Sequence, residues 1–176
     1  MLTVKTTNDF CYRDEIISLY IKTFTNGDSK QYVDLELLND YMETILKQGY
    51  AVITLSDEHV TGALLCLPLK FDKDLPDSIN CRYEVENCIY IAELMVDEKH
   101  RGRGIGNKLL LDFQKEMDND KFHDIFIRVW DQNALALNLY QKMGFVPIAE
   151  MIQNKKMPDG LTTFVMNKIY LHKKSR

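Results

Sequence analysis

Residues Cys88–Gln114 read CIYIAELMVDEKHRGRGIGNKLLLDFQ. Nine largely apolar residues end at Val96, a short charged turn follows, and Arg101, Gly102, Arg103, Gly104, Ile105 and Gly106 lead into a pattern with Leu109, Leu110 and Phe113 on one helical face. The order is strand, glycine-rich loop, helix. Glycines remove the side chains that keep a ligand from the backbone, and the N–H groups of a first helical turn form a positively polarised cradle for phosphate. Two arginines add positive charge, so the loop is suited to an anion.

Two familiar phosphate loops do not fit. A P-loop needs GxxxxGK followed by Ser or Thr, and no lysine–hydroxyl pair opens this helix. The dinucleotide fingerprint needs GxGxxG, whereas here Arg101 is followed after two residues by Gly104 and after one more by Gly106. A second piece lies 27 residues beyond Gly106. The strand-like Ile125–Trp130 precedes a short helical pattern, Asn133 to Tyr140, and Gly144-Phe145 comes directly after it.

RxxGxG after a strand, then strand, NxxAxxLY and KxGF, resembles the GCN5-related N-acetyltransferase (GNAT) superfamily, over most of the chain from about Tyr50 to Ile169. The resemblance implies an α/β, single-domain acyl-CoA N-acyltransferase fold over residues 1–176. Its mixed, mostly antiparallel twisted sheet is flanked by helices, with two central parallel strands splayed to admit the cofactor. It implies acetyl-CoA as acyl donor, held along the backbone of Leu94, Met95 and Val96 and by the loop Arg101, Gly102, Arg103, Gly104, Ile105, Gly106 and Asn107. Asn133 matches the residue that holds the coenzyme arm or caps its helix, and Tyr140 the tyrosine that lies beside the coenzyme sulfur and protonates the thiolate.

Glu93 is the expected general base. It stands in the apolar run YIAELMV, where burying a carboxylate is costly without a purpose or partner and raises its pKa toward a useful range. Exposure on the sheet, or pairing with Arg128, would account for it equally. Where the branch that acetylates protein N-termini often has a glutamate base, this chain has Arg128, which leaves Glu93, Glu84 or Glu86 to take the proton.

The remaining composition sets bounds. The 176 residues suit one domain, and the 45% apolar and 27% charged fractions are ordinary for a globular protein. A net charge of -4 invites no nucleic acid and is compatible with an amine acceptor, either a small molecule or a peptide. No apolar run has membrane-spanning length and Met1 to Asn8 lacks signal-peptide character, so no membrane partner and a cytoplasmic location are expected. Cys11, Cys66, Cys81 and Cys88 have no metal-ligand spacing and read as free, mostly buried thiols; no metal is expected. A homodimer is left open as a partner. Alternatives to acetylation of an amine are another acyl donor, a hydroxyl acceptor, or a coenzyme A-binding module without turnover.

Around this centre, Leu2–Thr6 reads as a strand and Asp14 and Glu15 open a helix ending at Asn26-Gly27-Asp28-Ser29. Asp34–Lys47 reads as a second helix, with Leu35, Leu38, Met42, Ile45 and Leu46 as its buried stripe and Gly49 as terminator. By resemblance, Phe24 to Tyr32 helps wall the acceptor pocket. A hairpin spans Tyr50–Leu55 and Val60–Leu69, and Phe71 to Glu86 breaks the periodicity with an acidic surplus that would attract an amine or simply be solvated. A helix comes next over Ile105–Met117, a strand over Asp124–Trp130, then strands over Phe145–Ile152 and Thr162–Ile169, leaving HKKSR as a basic tail.

Overall fold

A computed structural model describes residues 3–8, 10–26 and 30–175. The predicted Leu2 start of the first strand and the Gly27-Asp28-Ser29 turn lie outside the described residues. Among the described residues, seven strands occur in the sheet order β1-β2-β3-β4-β5-β7-β6, a mixed α/β arrangement with helices flanking a mostly antiparallel sheet. The chain divides into two compact bodies. One comprises Met1–Cys66, Glu93–Glu116 and Lys155–Phe164, the other Leu67–Ala92, Met117–Asn154 and Val165–Arg176.

In the first body, β1 (Thr3–Thr7), β2 (Tyr50–Ser56) and β3 (His59–Pro68, to Cys66 in this body) form an antiparallel meander. The β2–β3 turn places Asp57 and Glu58 at φ 51 and 67, the left-handed pair that matches a two-residue hairpin to the twist of its strands. Ala51, Val52, Ile53 and Thr54 are all fully buried, because helices pack on β2. These are α2 (Leu35–Gln48), which also packs on α1 (Arg13–Asn26), and α4 (Ile105–Glu116).

Asp34 caps α2 by accepting the N–H groups of Glu36 and Leu37 at 3.0 and 3.2 Å. Gly49 ends the helix, its N–H bonding Ile45 O at 2.8 Å, but at φ -142 it is extended rather than left-handed and leads straight into β2. The buried stripe of α2 is Leu38, Met42, Ile45 and Leu46, whereas Leu35 is exposed in the first turn.

Helix α4 and the sheet come into close contact at Gly62. A Cβ there would lie 2.8 Å from Thr54 Oγ1, 2.9 Å from Ile105 Cγ2 and 3.2 Å from Leu109 Cδ1, so α4 seats its first turns on this glycine. Gly62→Val is expected to lower stability by about 2 kcal/mol, the usual cost of overpacking, and Gly62→Ala by less. The urea midpoint measures it; an unchanged midpoint for the valine variant removes the close-packing argument.

In the second body, β5 (Asp124–Trp130) pairs antiparallel with β7 (Thr163–Lys174) over all seven of its residues, Asp124↔Lys174 to Trp130↔Lys168. Its parallel ladder with β4 (Cys88–Val96) runs from Cys88↔Asp124 to Ile91↔Ile127 and stops there, although β5 continues to Trp130. This is the expected parallel pair. The predicted basic tail is strand instead: His172, Lys173 and Lys174 continue β7, and His172 Nε2 meets Asp124 Oδ1 at 2.6 Å. β6 (Val146–Lys156) likewise runs past the predicted Ile152.

The irregular stretch holds a 3-10 turn at Leu69–Phe71, the one-turn α3 (Asp77–Asn80) and a further 3-10 turn at Val85–Asn87. No disulfide joins the cysteines. Cys66 and Cys88 are buried, and burial first of all pushes each thiol up to about 12, but Cys11 and Cys81 are exposed, so only half fit the expectation of burial. Among the described residues, no helix is long and apolar enough to cross a membrane.

Candidate functional site

The first body carries the glycine loop. β4 ends at Val96, and Asp97 anchors the turn beyond it: its N–H donates to Thr61 O at 2.9 Å, while its Oδ1 accepts from the Lys99 N–H at 3.0 Å and meets His100 Nδ1 at 3.1 Å. Burial pushes the Asp97 carboxyl up, but the His100 and Lys99 bonds outweigh it and hold the group below its usual range. Arg101 turns back, its Nε donating to Val96 O at 3.3 Å.

Beyond it the backbone enters the left-handed region twice, at Gly102 (φ 74) and Gly104 (φ 76), where β-branched residues are strained. A Cβ at either would meet nothing within 4 Å, so the two glycines serve conformation and approach from outside rather than internal packing. Gly106 lies within α4 and has no positive φ. Among the described residues, none of the N–H groups from Gly102 to Asn107 donates to a backbone carbonyl; the Lys108 N–H is the first, reaching Gly104 O at 3.0 Å. Unspent donors at a helix N-terminus, with Arg101, Arg103 and Lys108 exposed beside them, suit a phosphate-bearing ligand. These residues fit acetyl-CoA.

The same body holds the second half of β4. Met95 is buried; Glu93, Leu94 and Val96 are half-buried. Glu93 and Met95 share one face of the strand, Leu94 and Val96 the other. Tyr41 of α2 donates its hydroxyl to Glu93 Oε1 at 3.1 Å. Tyr20 of α1 stands edge-on to Tyr41, ring centroids 6.4 Å apart, and tilted against Phe24 at 4.5 Å. Burial, then the Glu93 charge, pushes the Tyr20 hydroxyl well above its usual range.

Sequence reasoning left Tyr41 out. The signal was available, since Leu38, Tyr41, Met42 and Ile45 follow the i, i+3, i+4, i+7 spacing of one helical face and put a hydroxyl at the edge of the stripe. At the described ends of Phe24–Tyr32, the Gln31 N–H donates to Phe24 O at 2.8 Å and the Tyr32 N–H to Lys156 O at 2.9 Å.

The second body carries Asn133, Tyr140 and Arg128. Asn133 caps α5 (Ala134–Lys142), its Oδ1 accepting the Ala136 N–H at 3.1 Å. Gly144 (φ 87) turns the chain out of the helix, with its N–H on Gln141 O and the Phe145 N–H on Tyr140 O, both at 3.0 Å. Tyr140 is 5% exposed, edge-on to Phe145 at 6.1 Å.

Arg128 is engaged by acids from the irregular stretch. Its Nη1 lies 3.5 Å from Asp72 Oδ1 and 3.2 Å from Asp74 Oδ2, and donates to Tyr170 Oη at 2.9 Å; Tyr170 in turn donates to Asp72 Oδ2 at 2.7 Å. Burial works against the Arg128 charge, but Tyr90, Asp72, Tyr170 and Asp74 outweigh it and hold the guanidinium protonated above its usual range. Gln153 donates to Asp74 Oδ2 at 2.7 Å, Lys70 Nζ reaches Glu86 Oε2 at 2.7 Å, and Asn87 donates to Glu84 Oε2 at 2.9 Å. Of the acidic surplus predicted to attract an amine or lie in solvent, Asp72 is withdrawn against Arg128 with its side chain 4% exposed, whereas Asp74, Asp77, Glu84 and Glu86 are exposed, as the solvated reading expected.

The acetyltransferase (GNAT) family profile matches residues 13–145. Among curated proteins, N-alpha-acetyltransferase 30 of Saccharomyces cerevisiae is 34% identical over 64 residues, 36% of this chain and 36% of that protein. The L-amino acid N-acyltransferase MnaT of Escherichia coli is 35% identical over 72 residues, 41% of this chain and 39% of that protein. The first of the curated relatives are matched over 32% to 52% of their own length, about a third to a half. The solved structure of yncA from Salmonella typhimurium with its cofactor acetyl-CoA superposes with a TM-score of 0.74 at 17% identity, covering 100% of this chain and 95% of that one. With the profile spanning well over half of its residues, the chain belongs to the acetyltransferase (GNAT) family.

Proposed function

We propose that the protein moves an acetyl group from acetyl-CoA to a primary amine by direct transfer in a ternary complex. The observation that carries this reading is the pair of left-handed glycines, Gly102 and Gly104, opening α4 with its first N–H groups unspent. Acetyl-CoA supplies an acetyl thioester, the activated acyl group. The chain's own residues bind it through the backbone from Gly102 to Asn107 and along Leu94, Met95 and Val96; Arg101 and Arg103 add charge, and Asn133 steadies the arm as well as its helix. Glu93 takes the proton that frees the amine nitrogen, and Tyr140 returns one to the departing sulfur. Two relatives, one named an N-alpha-acetyltransferase and the other an L-amino acid N-acyltransferase, support nitrogen as the acceptor atom. A cytoplasmic location fits this reading. Release of free coenzyme A, measured with acetyl-CoA against amines, polyamines, antibiotics and peptide N-termini, tests it; no turnover with any of these favours the coenzyme-binding module.

Binding has its own test. Gly104→Val forces the loop out of the left-handed region and is expected to weaken acetyl-CoA binding about 10- to 100-fold, the loss of one or two charge-assisted hydrogen bonds. The added Cβ meets no neighbour within 4 Å, so the loss of stability is confined to the strain of a β-branched residue at φ 76, about 1 to 2 kcal/mol. Calorimetric titration reads the affinity, and an unchanged value removes the loop from cofactor binding. Arg101→Ala and Arg103→Ala make binding less sensitive to salt where the side chain meets phosphate.

A further inference from the structure

In the second body the parallel ladder of β4 and β5 ends at Ile91↔Ile127, and the next residue of β5 is Arg128. It shares a face with Phe126, whose partner across the ladder is Tyr90. The guanidinium lies over the Tyr90 and Tyr170 rings, its carbon 5.9 and 5.5 Å from their centroids. Every polar contact it makes falls on one nitrogen. Nη1 meets Asp72, Asp74 and Tyr170, with Met151 Sδ at 3.5 Å. Among the described residues no group meets Nε or Nη2. The side chain is 15% exposed, yet neither nitrogen is sealed from solvent.

We propose that the Nε and Nη2 edge of Arg128 binds a carboxylate of the acceptor, and that the acceptor is therefore an amino acid rather than a simple amine or a peptide N-terminus. This rests on the acetyl-transfer reading above and names the acceptor's class. Nε–H and the neighbouring Nη2–H point the same way and form a fork whose spacing matches the two oxygens of a carboxylate. With Nη1 tied to Asp72 and Tyr170 and the plane set against two rings, the fork is oriented before a ligand arrives. A peptide carbonyl offers one oxygen and uses half of it. Charge narrows the class further. Arg128 already faces two carboxylates, Asp72 in the interior and Asp74, which is 48% exposed and bonded by Gln153. A plain carboxylic acid adds to that negative excess, whereas an amino acid carries its own cation and adds no net charge.

Acetyl transfer by the parent is compared for each common L-amino acid beside its amide and its decarboxylated amine. The best amino acid is expected to exceed both analogues by about 100-fold in kcat/KM, the loss of its charge-assisted bonds. Equal or faster turnover of the carboxylate-free compounds, or of peptides alone, overturns the proposal. Arg128→Lys keeps the cation that Asp72 requires and removes the fork. It is expected to raise KM for the amino acid about 10- to 100-fold and to leave KM for the decarboxylated amine unchanged, whereas an equal rise in both overturns recognition of the carboxylate. Should this variant fail to fold, Arg128→Gln with Asp72→Asn removes the buried charges together and takes its place. Binding is read without turnover from 15N spectra of arginine-labelled protein, the Arg128 Nε–H signal being assigned by its loss in the variant. Amino acids are expected to shift that signal, and their decarboxylated amines to leave it in place. Acetyl transfer to amines with an Arg128 signal unmoved by amino acids overturns the inference alone, whereas a shifted signal without transfer to any acceptor overturns the functional reading and leaves the carboxylate site.

Discussion

Glu93→Gln is expected to slow acetyl transfer by about 100- to 10,000-fold at pH values where the acceptor is an ammonium ion, the range expected for loss of a positioned general base. The substitution keeps the side chain's shape and an Oε1 that Tyr41 can still bond, so the helix–strand contact at 3.1 Å survives and stability changes little. What it removes is the proton acceptor. The deficit then has a pH signature: the parent deprotonates a bound ammonium, whereas the variant depends on free amine from solution. The difference is largest below the acceptor's pKa and shrinks as pH rises through it. A kcat/KM series against pH with a verified acceptor measures both curves. If the two coincide throughout, Glu93 is not the base, and Glu84 or Glu86 must be tested despite their contacts with Asn87 and Lys70.

The strand–loop–helix unit was legible because three local signals coincide there. An apolar run sets the strand, glycine spacing sets the loop, and the Leu109, Leu110 and Phe113 stripe sets the helix, with all three of those residues fully buried. Each depends on neighbours in sequence. The β2–β3 hairpin was readable for the same reason, its two strands being joined by two residues. Strand ends were less accessible. HKKSR has the composition of a solvated tail, yet its first three residues are held in β7 by main-chain pairing with β5 and by His172 against Asp124, a partner 48 residues away. Pairing with a central strand overrides local composition, and nothing within the five residues announces it.

The site divides in a similar way. Gly102 to Asn107 could be found from spacing, although the left-handed positions are Gly102 and Gly104, while Gly106 is helical. Residues whose roles depend on long-range contact were harder. Arg128 stood out as a departure from a family pattern, but its partners Asp72, Asp74 and Tyr170 lie 42 to 56 residues away in the chain. Asp72 and Asp74 belonged to a stretch with no periodicity at all. A charge count cannot distinguish a carboxylate that attracts a ligand from one already paired with an arginine. Glu93 shows the converse case, where an isolated acid in an apolar run did point to a specific environment, and its partner Tyr41 occupies the border of a helix stripe 52 residues earlier.

Tyr140→Phe is expected to lower turnover by about 10- to 1,000-fold while leaving acetyl-CoA affinity close to that of the parent. The ring is 5% exposed and packs edge-on to Phe145, and the backbone carbonyl of residue 140 accepts the Met143 and Phe145 N–H groups at 3.1 and 3.0 Å. Phenylalanine preserves both features, so the helix end and its turn at Gly144 stay in place. The cost to folding is about 1 kcal/mol, that of one hydroxyl's hydrogen bond. The smaller lower bound, compared with Glu93→Gln, comes from the leaving group: a thiol of ordinary acidity, with a pKa of about 8.5, departs as thiolate more readily than an alkoxide would, and water can substitute for the lost donor. A general acid must be protonated to act, so the parent loses rate as pH rises through the titration of Tyr140, and this alkaline limb should flatten in the variant. The measurement is single-turnover acetyl transfer across the alkaline range, with calorimetric affinity taken on the same samples. An unchanged alkaline limb with unchanged rate assigns Tyr140 to packing alone, and the proton for the sulfur then comes from water.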